Sequence, residues 1–155
     1  MSQNLPDSMP LRLVLDTNVW LDWLVFNDAG LAPVQSLVND GKAEIIIDAD
    51  CDAELVRVLD YPLQKWTLDA AAQAACIQRF RSIARLVSTS SVAALPQCRD
   101  PDDQKFLVLA AGANAWCLLT KDRALLKLAK ARYRLPFHIV TPANFPVLQS
   151  VEFKA

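Results

Sequence analysis

Glycine is scarce in this 155-residue chain, with only Gly30, Gly41 and Gly112. That rules out a P-loop or a G-x-G-x-x-G phosphate cradle, both of which need clustered glycines. Together with a hydrophobic share of 53%, it fits a compact core rather than disorder. Histidine is scarcer still. His138 stands alone, late in the chain, so neither a Ser-His-Asp set nor a histidine-rich metal cluster is expected. The cysteines Cys51, Cys76, Cys98 and Cys117 are widely spaced with no C-x-x-C pair, which excludes a zinc-type site and reads as reduced thiols in a cytoplasm. Long hydrophobic runs are missing too. The most apolar window, FLVLAAGANAWCLL, is 14 residues long and broken by Asn114, short of the roughly 20 that span a bilayer. The opening MSQNLPDSMP has neither a basic region nor an apolar core, so no secretory signal is expected. A cytoplasmic protein without a membrane partner is the reading.

These absences leave oxygen as the metal-binding element, and oxygen suits magnesium or manganese. A chain of this length buries roughly 68–70% of its unfolded surface as one domain. The expected organisation is a flexible N-terminal tail over 1–10, a single domain over 11–148 and a C-terminal tail over 149–155. Net charge is −1, but it is unevenly spread: residues 1–55 hold ten acids and two bases, whereas 56–155 hold seven acids and fourteen bases. KDRALLKLAKARYR, residues 121–134, carries six bases and one acid. Such a run can neutralise phosphates; alternatively it is the solvated face of a helix.

Strand and helix signals alternate. A strand at about 11–15 leads to a helix around Val19–Phe26, and a short helix with Val34, Leu37 and Val38 ends at Gly41. EIIID is the second strand. Asp48 or Asp50 caps the helix that follows, whose apolar stripe is Leu55, Val58 and Leu59. An Ala-rich helix spans about 68–84 with Ala72, Cys76, Phe80 and Ile83 on one face. RLVS is a short strand and SSVAALPQ a loop. RDPDDQKFLVLAAGANA opens a helix with Asp100 as cap and Pro101 at its first position. WCLLT is a strand, KDRALLKLAKA a helix, and FHIV a last strand stopped by Pro142. This alternation predicts a three-layer α/β/α sandwich around a central, mainly parallel sheet. In such folds ligands gather at the carboxyl ends of the strands.

Four acids fall at that edge. Asp16 directly follows the first strand, and Glu54 lies in the first turns of the helix after the second. Asp103 opens the helix after the 88–99 loop, and Asp122 follows WCLLT. Each could simply cap a helix, worth about 0.3–1 kcal/mol through the dipole. Four together would repel unless a cation sat among them. Asp103 heads the stripe Phe106, Leu107 and Ala110 and should lean toward the sheet edge, whereas Asp102 faces Lys105 at i+3 as a solvated neighbour. Among the acids of ADCDAEL, Glu54 is chosen because it flanks the apolar stripe and is long enough to reach over the strand end.

LVLDTNVW, the Glu of AELVRVL, RDPDDQKFLVLA, LLTKDRALL and HIVTPANF appear in that order over residues 11–147. In this the sequence resembles the PIN-domain nucleases, and more closely the bacterial and archaeal branch assigned as toxin components of toxin–antitoxin systems. DTN after a strand is a weak motif; RDPDD before an apolar helix, followed by T-x-D-x-x-LL, is a fairly specific one. The resemblance implies a PIN-like fold and a metal-dependent endoribonuclease that hydrolyses phosphodiesters with a metal-activated water, leaving a 5′-phosphate and a 3′-hydroxyl. It places the acidic quartet on Asp16, Glu54, Asp103 and Asp122. Asp16, Asp103 and Asp122 would hold one or two Mg²⁺ or Mn²⁺ ions, with Glu54 binding the metal or orienting its water. Asn18 matches a residue that supports the first acid, and Thr120 a Ser/Thr beside the last. Lys121 departs from the small residue common among relatives. Lys121, Arg123 and Lys127, with Arg99 and Lys105 as secondary candidates, are the expected backbone clamp. The implied partners are an RNA substrate, an antitoxin protein and a second copy in a homodimer. The alternatives are a PIN-fold binding module with little nuclease activity and a stand-alone RNA-processing nuclease.

Other residues read as structural. His138 sits in an apolar strand, and Trp20, Trp23, Trp66 and Trp116 read as core rather than as stacking platforms for bases. Cys98, beside Arg99 and Asp100, reads as partly exposed but lacks a base to activate it. A haloacid-dehalogenase-type phosphatase requires D-x-D after the first strand, where Asn18 stands instead. A receiver domain requires an acidic pair there, and that ordering does not fit either.

Overall fold

The computed structural model describes residues 9–61, 67–89 and 94–154. Trp66 and most of the expected N-terminal tail lie outside them, as do residues 90–93 of the SSVAALPQ loop. Among the described residues five strands form one parallel sheet: β1 Leu11–Leu15, β2 Ala43–Ile47, β3 Ala84–Leu86, β4 Cys117–Leu119 and β5 His138–Val140, in the order β3-β2-β1-β4-β5. Helices flank it: α1 Thr17–Leu24, α2 Ala32–Asn39, α3 Ala49–Leu59, α4 Ala70–Ile83, α5 Gln104–Gly112, α6 Arg123–Leu126 and α7 Phe145–Lys154. This is the α/β sandwich the alternation predicts.

The sheet's order explains the composition of its strands. β1 sits at the centre, pairing with β2 on one side and β4 on the other. A parallel strand covered on both faces has no solvent side, so it reads as a continuous apolar run. Leu13, Val14 and Leu15 are accordingly buried, as are Ile45–Ile47 of β2 and Cys117–Leu119 of β4. β3 is an edge strand, and its Leu86 is largely exposed. From β1 the chain winds outward through β2 to β3, then returns to the far side of β1 as β4. The winding therefore reverses between β1 and β4, and a crevice opens at their carboxyl ends. Asp16 and Thr120 are the residues that emerge there; the Asp16 amide still donates to Leu119 O at 3.1 Å.

Trp20 and Trp23 of α1 are core residues, and Trp20 packs against Phe80 of α4 with ring centroids 5.8 Å apart. Truncating such a ring to alanine costs about 3–5 kcal/mol. Of the stripe expected on α4, Phe80 alone is fully buried. Cys98 is buried rather than partly exposed, and burial raises its thiol pKa. His138 is exposed on β5, edge-on to Trp116 at 5.3 Å.

One expectation needs correction. The helix expected over KDRALLKLAKA, 121–131, is not continuous. α6 covers four residues, followed by 3₁₀ turns at Lys127–Ala129 and Ala131–Tyr133, with Lys130 extended between them. Arg123 and Lys127 at i,i+4, then Lys127 and Lys130 at i,i+3, repel along any continuous helix. Leu125 and Leu128, three apart, still point inward, as a three-residue turn requires. At the other end of the chain, α7 makes the segment from 149 to 154 helical. Pro146 stands in its first turn, where a missing N–H costs nothing.

Candidate active site

Local capping puts three of the acids at the crevice. Asp16 caps α1: its backbone is extended and its Oδ1 accepts the Val19 N–H at 2.9 Å. Asp122 caps α6 in the same way, with Oδ1 accepting the Ala124 N–H at 2.8 Å. Asp100 caps the 3₁₀ turn Pro101–Asp103 that precedes α5, accepting the Asp102 N–H at 3.0 Å. A cap uses one carboxylate oxygen and leaves the other available. Capping therefore leaves these side chains able to make further contacts at the crevice.

Thr120 ties two of them together. This fully buried hydroxyl donates to Asp16 Oδ2 and accepts the Asp122 backbone N–H at 2.9 Å. Asn18, expected to brace Asp16, is exposed on the cavity wall, and Thr120 and Val19 N hold the carboxylate instead. Thr17, which the sequence shows only as the start of α1, donates to Glu54 Oε2 at 2.5 Å.

Asp103 makes no side-chain cap, and among the described residues its buried Oδ2 has no hydrogen-bond partner. Asp16, Glu54, Asp103 and Asp122 line one cavity of about 300 Å³, together with Asp100 and Asp102. Asp100, Asp103 and Asp122 can each present an oxygen within 4.8 Å of the others. Asp100 is the acid that sequence reasoning left out of the quartet. Its signal was present in RDPDD, where Asp100 caps a turn closed by the Asp103 amide donating to Asp100 O at 3.1 Å, which keeps the two acids near each other.

The electrostatics follow from this crowding. Asp16 is raised to about 6, first by burial and then by the neighbouring Asp122, against the lowering hydrogen bonds of Thr120 and Val19. Asp103 is raised to about 8, first by burial and then by contact with Asp122, with Asp100 and Asp16 adding repulsion. Burial and crowding raise both carboxyls, and Asp103 Oδ2 has no donor among the described residues, so the site is short of positive charge. The donor set is all oxygen and fits a hard divalent cation such as Mg²⁺ or Mn²⁺. Asp103, Asp122 and Asp100 would hold it, with Asp16 adjoining. Each hydrogen-bonded oxygen of Asp16 keeps a further lone pair.

The expected bases do not behave alike. Lys105 stands beside the cavity rather than in its lining, ion-paired to Glu54 rather than facing Asp102. Lys121 turns to Asp22, lining a separate cavity with Thr141. Arg99, Arg123 and Lys127 are exposed.

The sequence model of a family described as PIN domain matches residues 12–124. No curated protein matches the sequence. Among solved structures, VapBC2 from Rickettsia felis, bound to a DNA fragment from their promoter, aligns over 84% of this chain and 97% of its own, with TM-score 0.56 and 16% identity. PAE2754 from Pyrobaculum aerophilum aligns over 98% of this chain and 99% of its own, with TM-score 0.55 and 14% identity. At these identities the likeness concerns the fold.

Proposed function

The chain belongs to the PIN-domain family, and on that footing we propose that it is a Mg²⁺- or Mn²⁺-dependent endoribonuclease acting as the toxin of a toxin–antitoxin pair. The observation that carries the nuclease reading is the buried Asp103 Oδ2, which lacks a donor and sits amid Asp16, Asp100 and Asp122 at the winding reversal of the sheet. When bound there, a divalent ion supplies Lewis acidity to water and to the scissile phosphate.

The chain's own residues do the rest. Asp103, Asp122 and Asp100 gather the negative charge that holds the ion, and Asp16, locked by Thr120, fixes the edge of the site nearest β1. Glu54 forms a wall of the cavity, held by Thr17 of α1. Arg123 and Lys127 are solvent-facing bases on the segment after Asp122, able to take backbone phosphates as a strand lies across the cavity. Arg99 flanks Asp100 in the same manner.

The toxin reading rests on the resemblance of LVLDTNVW, RDPDD and LLTKD to the toxin branch, and on the fold shared with VapBC2. The partner it calls for is an antitoxin protein that covers the acidic cavity. The test is induction of wild type and Asp16→Asn in a bacterial host, with RNA ends mapped across the transcriptome. Wild type should arrest growth and create new 5′-phosphate ends, and the variant should do neither. Equal arrest by both proteins defeats the proposal. Arrest without new RNA ends would turn the reading toward a binding module.

A further inference from the structure

Glu54 and Asp103 face the same cavity in opposite states. Asp103 has a buried oxygen with no donor, whereas Glu54 is supplied from three helices. Thr17 of α1 donates to Oε2 at 2.5 Å, the ammonium of Lys105 on α5 pairs with Oε1, and Arg57 on α3 stands 3.7 Å from the same oxygen. The Lys105–Glu54 pair is sheltered, with side chains 25% and 12% exposed, while Arg57 lies out on the rim at 61%. Lys105 follows Asp103 by two residues, so the pair ties α3 to α5 at the side of the cavity. The carboxylates that can converge on one point are Asp100, Asp103 and Asp122, without Glu54.

Resting on the reading of this cavity as a metal site, we infer that Lys105 is a positioning residue whose ammonium holds Glu54 out of the cation's ligand set. The ligand set is then the aspartates, and Glu54 is a neutralised wall. This arrangement has a use. A cavity lined by six carboxylates repels a phosphodiester, and cancelling the charge of one of them with a fixed ammonium reduces that repulsion without weakening the aspartate cluster. A carboxylate already satisfied by an ammonium and a hydroxyl also gains less from a cation than an unsatisfied one.

Binding of Mn²⁺, followed by the loss of the free-ion paramagnetic resonance signal, reads this directly without any cleavage. Lys105→Met frees Glu54 to turn to the ion and should tighten binding about fivefold or more. Glu54→Gln leaves an unpaired ammonium beside the site and should weaken it by a similar factor. The decisive protein is Lys105→Met combined with Glu54→Gln: with the pair removed as a unit, affinity should return to within about threefold of wild type. Lys105→Arg should also match wild type. A double variant that binds as poorly as Asp103→Asn would make Glu54 a ligand and overturn the inference, as would wild-type affinity in Lys105→Met. Should Lys105→Met melt early, Lys105→Gln replaces it in both arms. If wild type itself takes up no Mn²⁺, the metal-site reading fails first; if wild type binds and the variants disagree, the role of Lys105 alone fails.

Discussion

Thr120 and Asp16, 104 residues apart, share a buried hydrogen bond in which the Thr120 hydroxyl donates to Asp16 Oδ2 while accepting the Asp122 N–H. The ends of β1 and β4 are thereby fixed to each other at the point where the acids meet. Valine fills the volume of threonine but cannot donate. Thr120→Val should therefore cost about 1–3 kcal/mol, the penalty for stranding buried polar groups. Activity should fall about 10–100-fold, as when a supporting partner of a metal ligand is removed. Thr120→Ser should keep most of both. Urea unfolding and RNA cleavage, measured in parallel, check the two effects.

The raised acids fix the sign of a pH effect. Asp16 at about 6 and Asp103 at about 8 both stand above the ordinary 3.8. A folded carboxyl that favours its proton contributes stability that is full below the unfolded pKa and lost as pH rises through the folded one. Metal-free protein should therefore lose thermal stability between about pH 4 and pH 8. A divalent cation takes the place of those protons, so its rise in Tm should be larger at the top of that window than at the bottom. Asp103→Asn should flatten most of the metal-free slope. Melting scans with chelator and with Mn²⁺ across this range decide it; equal metal-free slopes for wild type and Asp103→Asn would contradict it.

Asp100 stood outside the expected quartet, read from the sequence as a cap with its help to Asp103 left open, and its role is separable. It caps the 3₁₀ turn through one oxygen and can reach the cluster through the other. Asp100→Asn preserves the cap, because asparagine caps as well as aspartate. It should leave stability within about 0.5 kcal/mol while weakening Mn²⁺ binding about tenfold, the loss expected for a supporting group at a metal site. Unchanged Mn²⁺ affinity would confine Asp100 to capping.

Charge on the 121–134 segment should act through salt. Arg123 and Lys127 are exposed, whereas Lys121 is engaged with Asp22. Replacing Arg123 and Lys127 by alanine should weaken single-stranded RNA binding. The slope of log affinity against log salt should become shallower by about 0.7 for each phosphate that is no longer neutralised. Lys121→Ala should change that slope less. Filter binding of a non-cleaved RNA in chelator at several salt concentrations gives the slopes.

Much of this was legible because it is local. The apolar runs of β1, β2 and β4 carry no alternation, which marks buried parallel strands, and each is followed by an aspartate or a polar turn that caps the next helix. The sheet edge and its acids follow from that pattern. Pairings between distant residues were not legible: nothing in the spacing joins Lys105 to Glu54, and i+3 logic sent it to Asp102. Asn18 lay closer in sequence to Asp16 than Thr120 did, yet the register of β1 against β4 brings Thr120 alongside. The basic run promised a helix by composition, but its like charges and the short reach from β4 to β5 break it into turns. α7 was not expected beyond Pro142, although proline in a first helical turn, as at Pro146, is tolerated.

The central claim is that the aspartate cleft hydrolyses RNA through a divalent cation. Its most direct test is cleavage of a mixed single-stranded RNA pool by wild type and Asp103→Asn, with Mn²⁺ and with chelator, reading the chemistry of the new ends. Wild type with Mn²⁺ should leave 5′-phosphate and 3′-hydroxyl ends, and chelator or the substitution should lower the rate by at least about a hundredfold, the scale of losing one charge-stabilising group. Cleavage that survives chelation, equal rates for the two proteins, or 2′,3′-cyclic phosphate ends would contradict it.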